Sequence, residues 1–203
     1  MSIGKFSAQK RQNILAIATE LFLEKGFSGA STSELLRRVG GSKTTIYSHF
    51  GDKAGLFTAV VDEVLKETLA YSDIRDLTEL STRAALITIA DQYLKIVLSS
   101  RYISLVRIVV AEVNRFPEIG KAFYAHGPGK SYSNFESFLK QRTKSGELRI
   151  TSLSLATDLF FGTLLHRELL VRMYGVKKSP PRNRTIIATA VADEFIKHYT
   201  NTI

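Results

Sequence analysis

The sequence predicts an all-α chain in which a small N-terminal cluster of helices leads, through a linking helix, into a larger helical domain. Three observations predict it. Apolar residues recur at the i, i+3, i+4, i+7 spacing of one helix face along most of the chain. Beyond residue 82 nothing alternates apolar and polar as a half-buried strand does. Glycines and capping residues interrupt the periodic runs at helical lengths, as at Gly26, Gly40-Gly41 and Gly51-Asp52.

The first helix starts near Ala8 and carries Ile14, Leu15, Ala18, Leu21 and Phe22 on one face, until Gly26 supplies the left-handed residue that commonly ends a helix. Ser31-Thr32-Ser33-Glu34 reads as a capping box, with Ser31 and Glu34 satisfying free N–H groups ahead of a helix whose apolar face is Leu35, Leu36 and Val39. Gly40-Gly41 breaks that helix. Ser42 then caps a short third helix, on which Ile46 and Phe50, four residues apart, turn inward together. Asp52 caps a fourth, long helix that carries Leu56, Phe57, Val60, Val61, Val64 and Leu65 and runs to about Ala70. After a polar stretch over 71–81, helical periodicity returns at about 83–99, 101–115, 129–145, 153–174 and 183–199. The predicted division is a domain over 8–68 and a second over 69–203.

The helix predicted at 153–174 is apolar nearly all round, through Leu159, Phe160, Phe161, Leu164, Leu165, Leu169, Leu170 and Met173. Such a helix needs cover on several sides. A core can cover one side and a second copy of the chain another; the alternative is a helix wholly internal to the chain's own core. The expected homodimer interface therefore takes Phe160, Phe161 and Leu164 from this helix and Ile187, Val191 and Phe195 from the last one.

Composition narrows the function. The chain has 203 residues, 44% of them hydrophobic, which is enough for a real core. It has no cysteine and only four histidines, which leaves little basis for a disulfide framework, a cysteine nucleophile or a metal site. No cofactor is implied. No basic-then-apolar leader and no uninterrupted apolar run of about 18 residues is present, so a soluble, cytoplasmic protein without a membrane partner is expected. The net charge of +9 favours an anionic partner. Residues 1–50 hold net +4 of that charge, so its density is higher at the front.

Two short helices joined by a four-residue, glycine-containing turn, Val39-Gly40-Gly41-Ser42, match a helix-turn-helix over about 31–50 in spacing and length. Once Ile46 and Phe50 are inward, the third helix exposes Lys43, Thr44, Thr45, Tyr47, Ser48 and His49. Short hydroxyls, one aromatic ring and no carboxylate suit approach to phosphates and thymine methyls, whereas a merely solvated helix favours Glu, Lys, Gln and Ala. Lys53 opposes the dipole of the fourth helix and asks for an anion. Together with the free N–H groups at that helix start, and with His49 close by, it makes a phosphate site that positions the protein without reading sequence.

The run Gly41-Ser42-Lys43-Thr44-Thr45-Ile46-Tyr47-Ser48-His49-Phe50-Gly51-Asp52-Lys53-Ala54-Gly55-Leu56-Phe57 resembles the signature of the tetracycline-repressor (TetR) family. The likeness extends from about Ala8 to Leu65 and includes Ala18-Thr19-Glu20-Leu21-Phe22 and Lys25-Gly26-Phe27. It implies a homodimer whose paired recognition helices enter successive major grooves of double-stranded, palindromic operator DNA. It also implies a C-terminal ligand-binding and dimerisation domain that answers to a small-molecule effector, usually to release a repressor. Carried over by position, Lys43, Thr44, Thr45, Tyr47, Ser48 and His49 face DNA, Lys53 holds a phosphate, and Thr32 and Ser33 contact backbone, with Arg37 a weaker addition. Two departures stand out: Gly41, where relatives favour an apolar residue, and Gly55, where a first-turn acid is frequent.

Other motifs lead nowhere. Gly127-Pro128-Gly129-Lys130-Ser131 imitates the end of a phosphate-binding loop, but its first glycine would fall at Tyr124 and no strand precedes it. Asn183-Arg184-Thr185 is a glycosylation sequon without a secretion signal. His126, His166 and His198 lack ligand-spaced partners, and no nucleophile–base or paired-carboxylate pattern suggests an enzyme. The competing reading is a basic helical protein that binds nucleic acid or a partner constitutively. A closed pocket in the C-terminal domain separates the two, and Tyr93, Arg107, Phe116, Phe123, Tyr124 and His166 are the candidate pocket residues, with ordinary core packing the alternative for each.

Overall fold

The computed structural model describes residues 8–40, 42–69, 77, 79–176 and 183–200, with the backbone alone for Thr45 and residues 66–69. Gly41 lies outside the described residues, as does most of the polar stretch over 71–81. Ten helices and no strand are present among the described residues: α1 (Ala8–Gly29), α2 (Thr32–Val39), α3 (Lys43–Phe50), α4 (Lys53–Leu69), α5 (Thr82–Val97), α6 (Ser100–Glu112), α7 (Pro117–His126), α8 (Pro128–Lys144), α9 (Leu153–Met173) and α10 (Arg184–Tyr199). They divide into two compact units, one formed by Met1–Glu67 with Ser104–Gly127, the other by Thr68–Ile103 with Pro128–Ile203. In this division residues 104–127 group with the N-terminal helices.

In the first unit the inward stripe of α1 (Ile14, Leu15, Ala18, Leu21, Phe22) is at most 2% exposed. It meets Leu35 of α2, Ile46 and Phe50 of α3, and Leu56, Phe57, Val60 and Val61 of α4 in one core. Phe27 is its aromatic hub. Its ring lies 5.8 Å from Phe22, 5.2 Å from Phe57 and 4.6 Å from Phe116. α1 is interrupted at Gly26 (φ 71°), and its last residues lead into the turn before α2.

α7 is the one described helix that the periodicity does not predict. Pro117 stands at its first turn with Glu118 beside it, and it buries only Ile119 and Phe123, too few apolar positions to stand out. At the end of α6, Glu112 accepts hydrogen bonds from the Ser28 amide (2.8 Å) and the Ser28 hydroxyl (2.7 Å). The Ser28 hydroxyl bond, opposed by partial burial and reinforced by the amide, holds the Glu112 carboxyl below its ordinary range.

In the second unit α5 packs along α10, and α9 lies against α5, α8 and α10. Phe160 is the centre of the core, 4.4 Å from Phe135 and 5.3 Å from Phe195 between ring centroids. Two ion pairs tie α5 to α10, Arg83 with Asp193 and Arg184 with Asp91, each at 2.7 Å. Their exposure limits them to orienting the helices. Arg142 of α8 is better enclosed. It donates to the carbonyls of Leu77 (3.0 Å) and Leu80 (2.7 Å) while its charge is matched by Glu147 at 3.0 Å. Glu147 also accepts from Thr82 and Ser145, and these bonds with Arg142 bring its carboxyl down to about 2. The contribution of this network is therefore present at neutral pH and fades as pH falls from about 4.5 towards 2.

The expected interface residues are redistributed by this packing. Phe160, Phe161, Leu164 and Phe195 are at most 6% exposed and fill the unit's own core, because the widest apolar stripe of α9 faces α5, α8 and α10. Ile187 and Val191 are half-buried. The apolar side chains left outward are Leu155, Leu159 and Leu170 of α9 and Ile186 of α10. Leu159 and Thr163 border an open groove of about 460 Å³ together with Ala190 and Val191.

Candidate nucleic-acid interface and cavity

α3 is pinned by two buried side chains, Ile46 (2% exposed) and Phe50 (8%), and this fixes which residues face outward. Lys43, Thr44, Ser48 and His49 are exposed, and Tyr47 is half-buried. The side chain of Thr45 lies outside the described residues. No carboxylate stands on α3, so its outward face combines cations, hydroxyls and an imidazole.

α2 is held against α3 by the hydroxyls of Thr32 and Tyr47, 2.8 Å apart. Two residues assigned to DNA from the sequence thus already support each other. Ser31 caps α2 by accepting from the Glu34 amide (3.1 Å). A full capping box would turn Glu34 back towards Ser31. Instead Glu34 Oε1 accepts from Arg37 (3.0 Å) and Arg38 (2.9 Å), and Arg38 also reaches Glu24 of α1 at 2.8 Å. Hydrogen bonds from Arg37 and Arg38 hold the Glu34 carboxyl below its ordinary range. Arg37 consequently carries a partnered charge, whereas Ser33 is exposed at the start of α2.

α2 ends at Gly40 (φ 70°), whose amide donates to the Leu36 carbonyl at 2.9 Å; a side chain would strain this conformation. At the start of α4 the Asp52 carboxylate accepts from the Gly55 amide at 2.8 Å. This cap occupies one of the N–H groups that the sequence leaves free for a phosphate. Gly55 itself is explained by space. A Cβ there would lie 1.9 Å from the Phe50 carbonyl oxygen, so the close joint between α3 and α4 admits no side chain. Gly55→Ala is expected to cost about 1–3 kcal/mol in urea unfolding through backbone displacement; an unchanged midpoint would contradict this account of the joint.

Lys53 stands in the first turn of α4. Its Nζ donates to the Ser28 carbonyl (3.3 Å) and lies 4.9 Å from the centre of the Phe27 ring. Burial lowers its pKa, the nearby Glu112 carboxylate opposes that shift, and Arg115 adds to it. Ser28, itself bonded by Glu112, is therefore the support that aims the Lys53 ammonium. The sequence marks Lys53 but not this support, because Glu112 is 84 residues from Ser28 and only the fold joins them.

The second unit holds a cavity of about 70 Å³. α5 contributes Ile89, Gln92, Tyr93 and Ile96, which fall on one helical stripe. Asn134, Phe135 and Phe138 of α8 and Phe161 of α9 face them. Of the six pocket residues expected from sequence, Tyr93 lines this cavity, 4.4 Å from the Phe161 ring. The others lie elsewhere. Phe116 packs on Phe27, Phe123 is buried in the first unit, Tyr124 is 59% exposed, and Arg107 and His166 are exposed. The overlooked signal is a polar side chain interrupting an apolar helical stripe, Gln92 in α5 and Asn134 in α8.

Two family models match this chain. That of the AefR-like transcriptional repressor C-terminal domain covers residues 84–201, more than half of the chain, and that of the tetR family of bacterial regulatory proteins covers residues 14–60. The chain belongs to the TetR family. Among curated relatives, the HTH-type transcriptional repressor AcnR of Corynebacterium glutamicum is 38% identical over 63 residues, or 31% of this chain and 34% of AcnR. The match thus spans about a third of that relative's length. A TetR-family regulator from Mesorhizobium loti superimposes with a TM-score of 0.81 at 27% identity, over 96% of this chain and 98% of that one. The flavonoid-responsive regulator FrrA superimposes with a TM-score of 0.79 at 24% identity, over 97% and 100%, a likeness of fold. No described helix of this TetR-family member is long and apolar enough to cross a membrane.

Proposed function

We propose that this TetR-family chain is a cytoplasmic, homodimeric transcriptional repressor that grips a palindromic operator and releases it when a small molecule occupies the cavity of the second unit. The observation that carries the reading is the outward face of α3. Ile46 and Phe50 lock the helix, and what remains outside is rich in hydrogen-bonding groups and free of carboxylate. Thr44, Thr45, Tyr47, Ser48 and His49 are assigned to the major groove with Lys43 beside them, Thr32 and Ser33 to the DNA backbone, and Lys53 to a phosphate. The domain boundary near residue 68 and the absence of catalysis belong to the same reading.

The exposed residues Leu155, Leu159 and Ile186, with the groove beside Val191, support a dimer built on α9 and α10. Two copies then present two α3 helices at the ~34–36 Å repeat of the major groove. Leu159→Glu is expected to give a monomer in size-exclusion chromatography with light scattering. Operator affinity should fall roughly 10²-fold or more while each protomer stays folded, since Leu159 is 48% exposed. A dimer that survives the substitution would move the interface elsewhere.

Response to a ligand is supported by the cavity and by the flavonoid-responsive regulator of the same fold. Ligand and operator select different conformations, so their coupling is reciprocal. An effector that weakens operator binding by some factor binds the operator complex more weakly by that same factor. The test of the whole reading is selection of genomic fragments with the purified protein, followed by titration. Recovery of a palindrome bound by a dimer is expected; binding that is steeply salt-dependent but indifferent to sequence would favour a constitutive nucleic-acid binder.

A further inference from the structure

The cavity of the second unit is walled by rings. Phe161 is placed between Tyr93 (4.4 Å, tilted) and Tyr132 (4.9 Å, stacked), and Phe135 and Phe138 close another side. Its polar groups are neutral: the amides of Gln92 and Asn134 and the hydroxyls of Ser131 and Tyr93. Among the described residues no Lys, Arg, His, Asp or Glu lines it. Tyr93 is, among the described residues, the only lining side chain with a titratable group, and burial raises its pKa, which keeps the phenol protonated. Arg142 reaches the carbonyl of the lining residue Leu77, but its charge is matched by Glu147.

A carboxylate or ammonium entering this space would give up its hydration without meeting an opposite charge. An aromatic ring, by contrast, finds ring faces and edges to pack on, and a single hydroxyl or carbonyl finds an amide. From this lining we infer that the effector is a small, uncharged aromatic compound, of the size of one ring bearing a hydroxyl or carbonyl group. The inference rests on the reading of the cavity as the effector site. A cavity known to hold benzene is about 150 Å³, roughly twice this one, so entry requires side chains to retreat. The mouth is the place for it, since Gln92 is half-buried and Asn134 exposed while Phe135, Phe138 and Phe161 are buried.

Three probes that share a 4-ethylphenyl body and carry a neutral, an anionic or a cationic head group test this on the full chain at pH 7.5: 4-ethylphenol, 4-ethylbenzoate and 4-ethylbenzylammonium. Calorimetric titration is expected to show the phenol bound at least about tenfold more tightly than either ion. Equal or tighter binding of an ion, or no binding of the phenol, would overturn the proposal. Asn134→Lys, at an exposed position, is expected to raise benzoate affinity about tenfold and so to narrow or reverse the preference for the phenol over the benzoate. Affinities for all three probes unmoved by Asn134→Lys would place the binding elsewhere and also overturn it. Genomic-fragment selection without ligand separates the two readings. A phenol-selective chain that selects no DNA sinks the regulator and spares the cavity chemistry; a DNA-selecting chain that prefers benzoate does the reverse.

Discussion

Truncating Phe27 to alanine is expected to cost about 3–5 kcal/mol, because it removes a side chain that is 2% exposed and leaves a void the surrounding rings cannot close. Phe22, Phe57 and Phe116 each rest on this ring, and they come from α1, α4 and the start of α7. The loss spreads into the site. Lys53 lies over the same ring, and Ser28, which accepts from Lys53, is the next residue in the chain. Thermal unfolding followed by circular dichroism should show a fall of roughly 6–20 °C, together with weaker DNA binding. A cost below about 1 kcal/mol would mean that Phe27 is not the hub its contacts indicate.

Replacing Lys53 with methionine separates binding from stability. The ammonium is part-buried and its pKa is lowered mainly by that burial, so the charge is held at a cost which a neutral side chain of similar length removes. Methionine should therefore leave unfolding unchanged or slightly improved. Binding to every duplex, specific or not, should weaken, and the slope of log affinity against log salt should flatten by about one unit per protomer. The depressed pKa adds a sign. Wild-type affinity should start to fall with rising pH below the range where an ordinary lysine titrates, and Lys53→Arg should abolish that dependence. An unchanged salt slope in Lys53→Met would remove the phosphate role.

The parts of this protein legible in its sequence are those set by local rules. α1 to α4 follow from apolar spacing, from Ser31 and Asp52 as caps, and from glycines at the breaks, because each signal sits within a few residues of the element it defines. Ile46 and Phe50 likewise fix the outward face of α3 from spacing alone. What depends on distant packing was not legible. α9 is apolar nearly all round, and only its packing against α5, α8 and α10 decides that Phe160, Phe161 and Leu164 go inward while Leu155 and Leu159 stay out. The cavity draws on three helices and Leu77, so a list of aromatic residues could not separate Tyr93, which lines it, from Phe116, which packs on Phe27. Gly55 looked like a departure from the family signature until the carbonyl of Phe50 explained it.

Sequence reading by α3 is tested by competition binding. The palindrome recovered by selection, and the same duplex with both half-sites scrambled, are titrated against one labelled operator at about 0.15 M salt. A preference of about 10³ or more for the palindrome is expected, reduced in Thr44→Ala and Tyr47→Phe. A ratio near one, with both duplexes equally salt-sensitive, would contradict it.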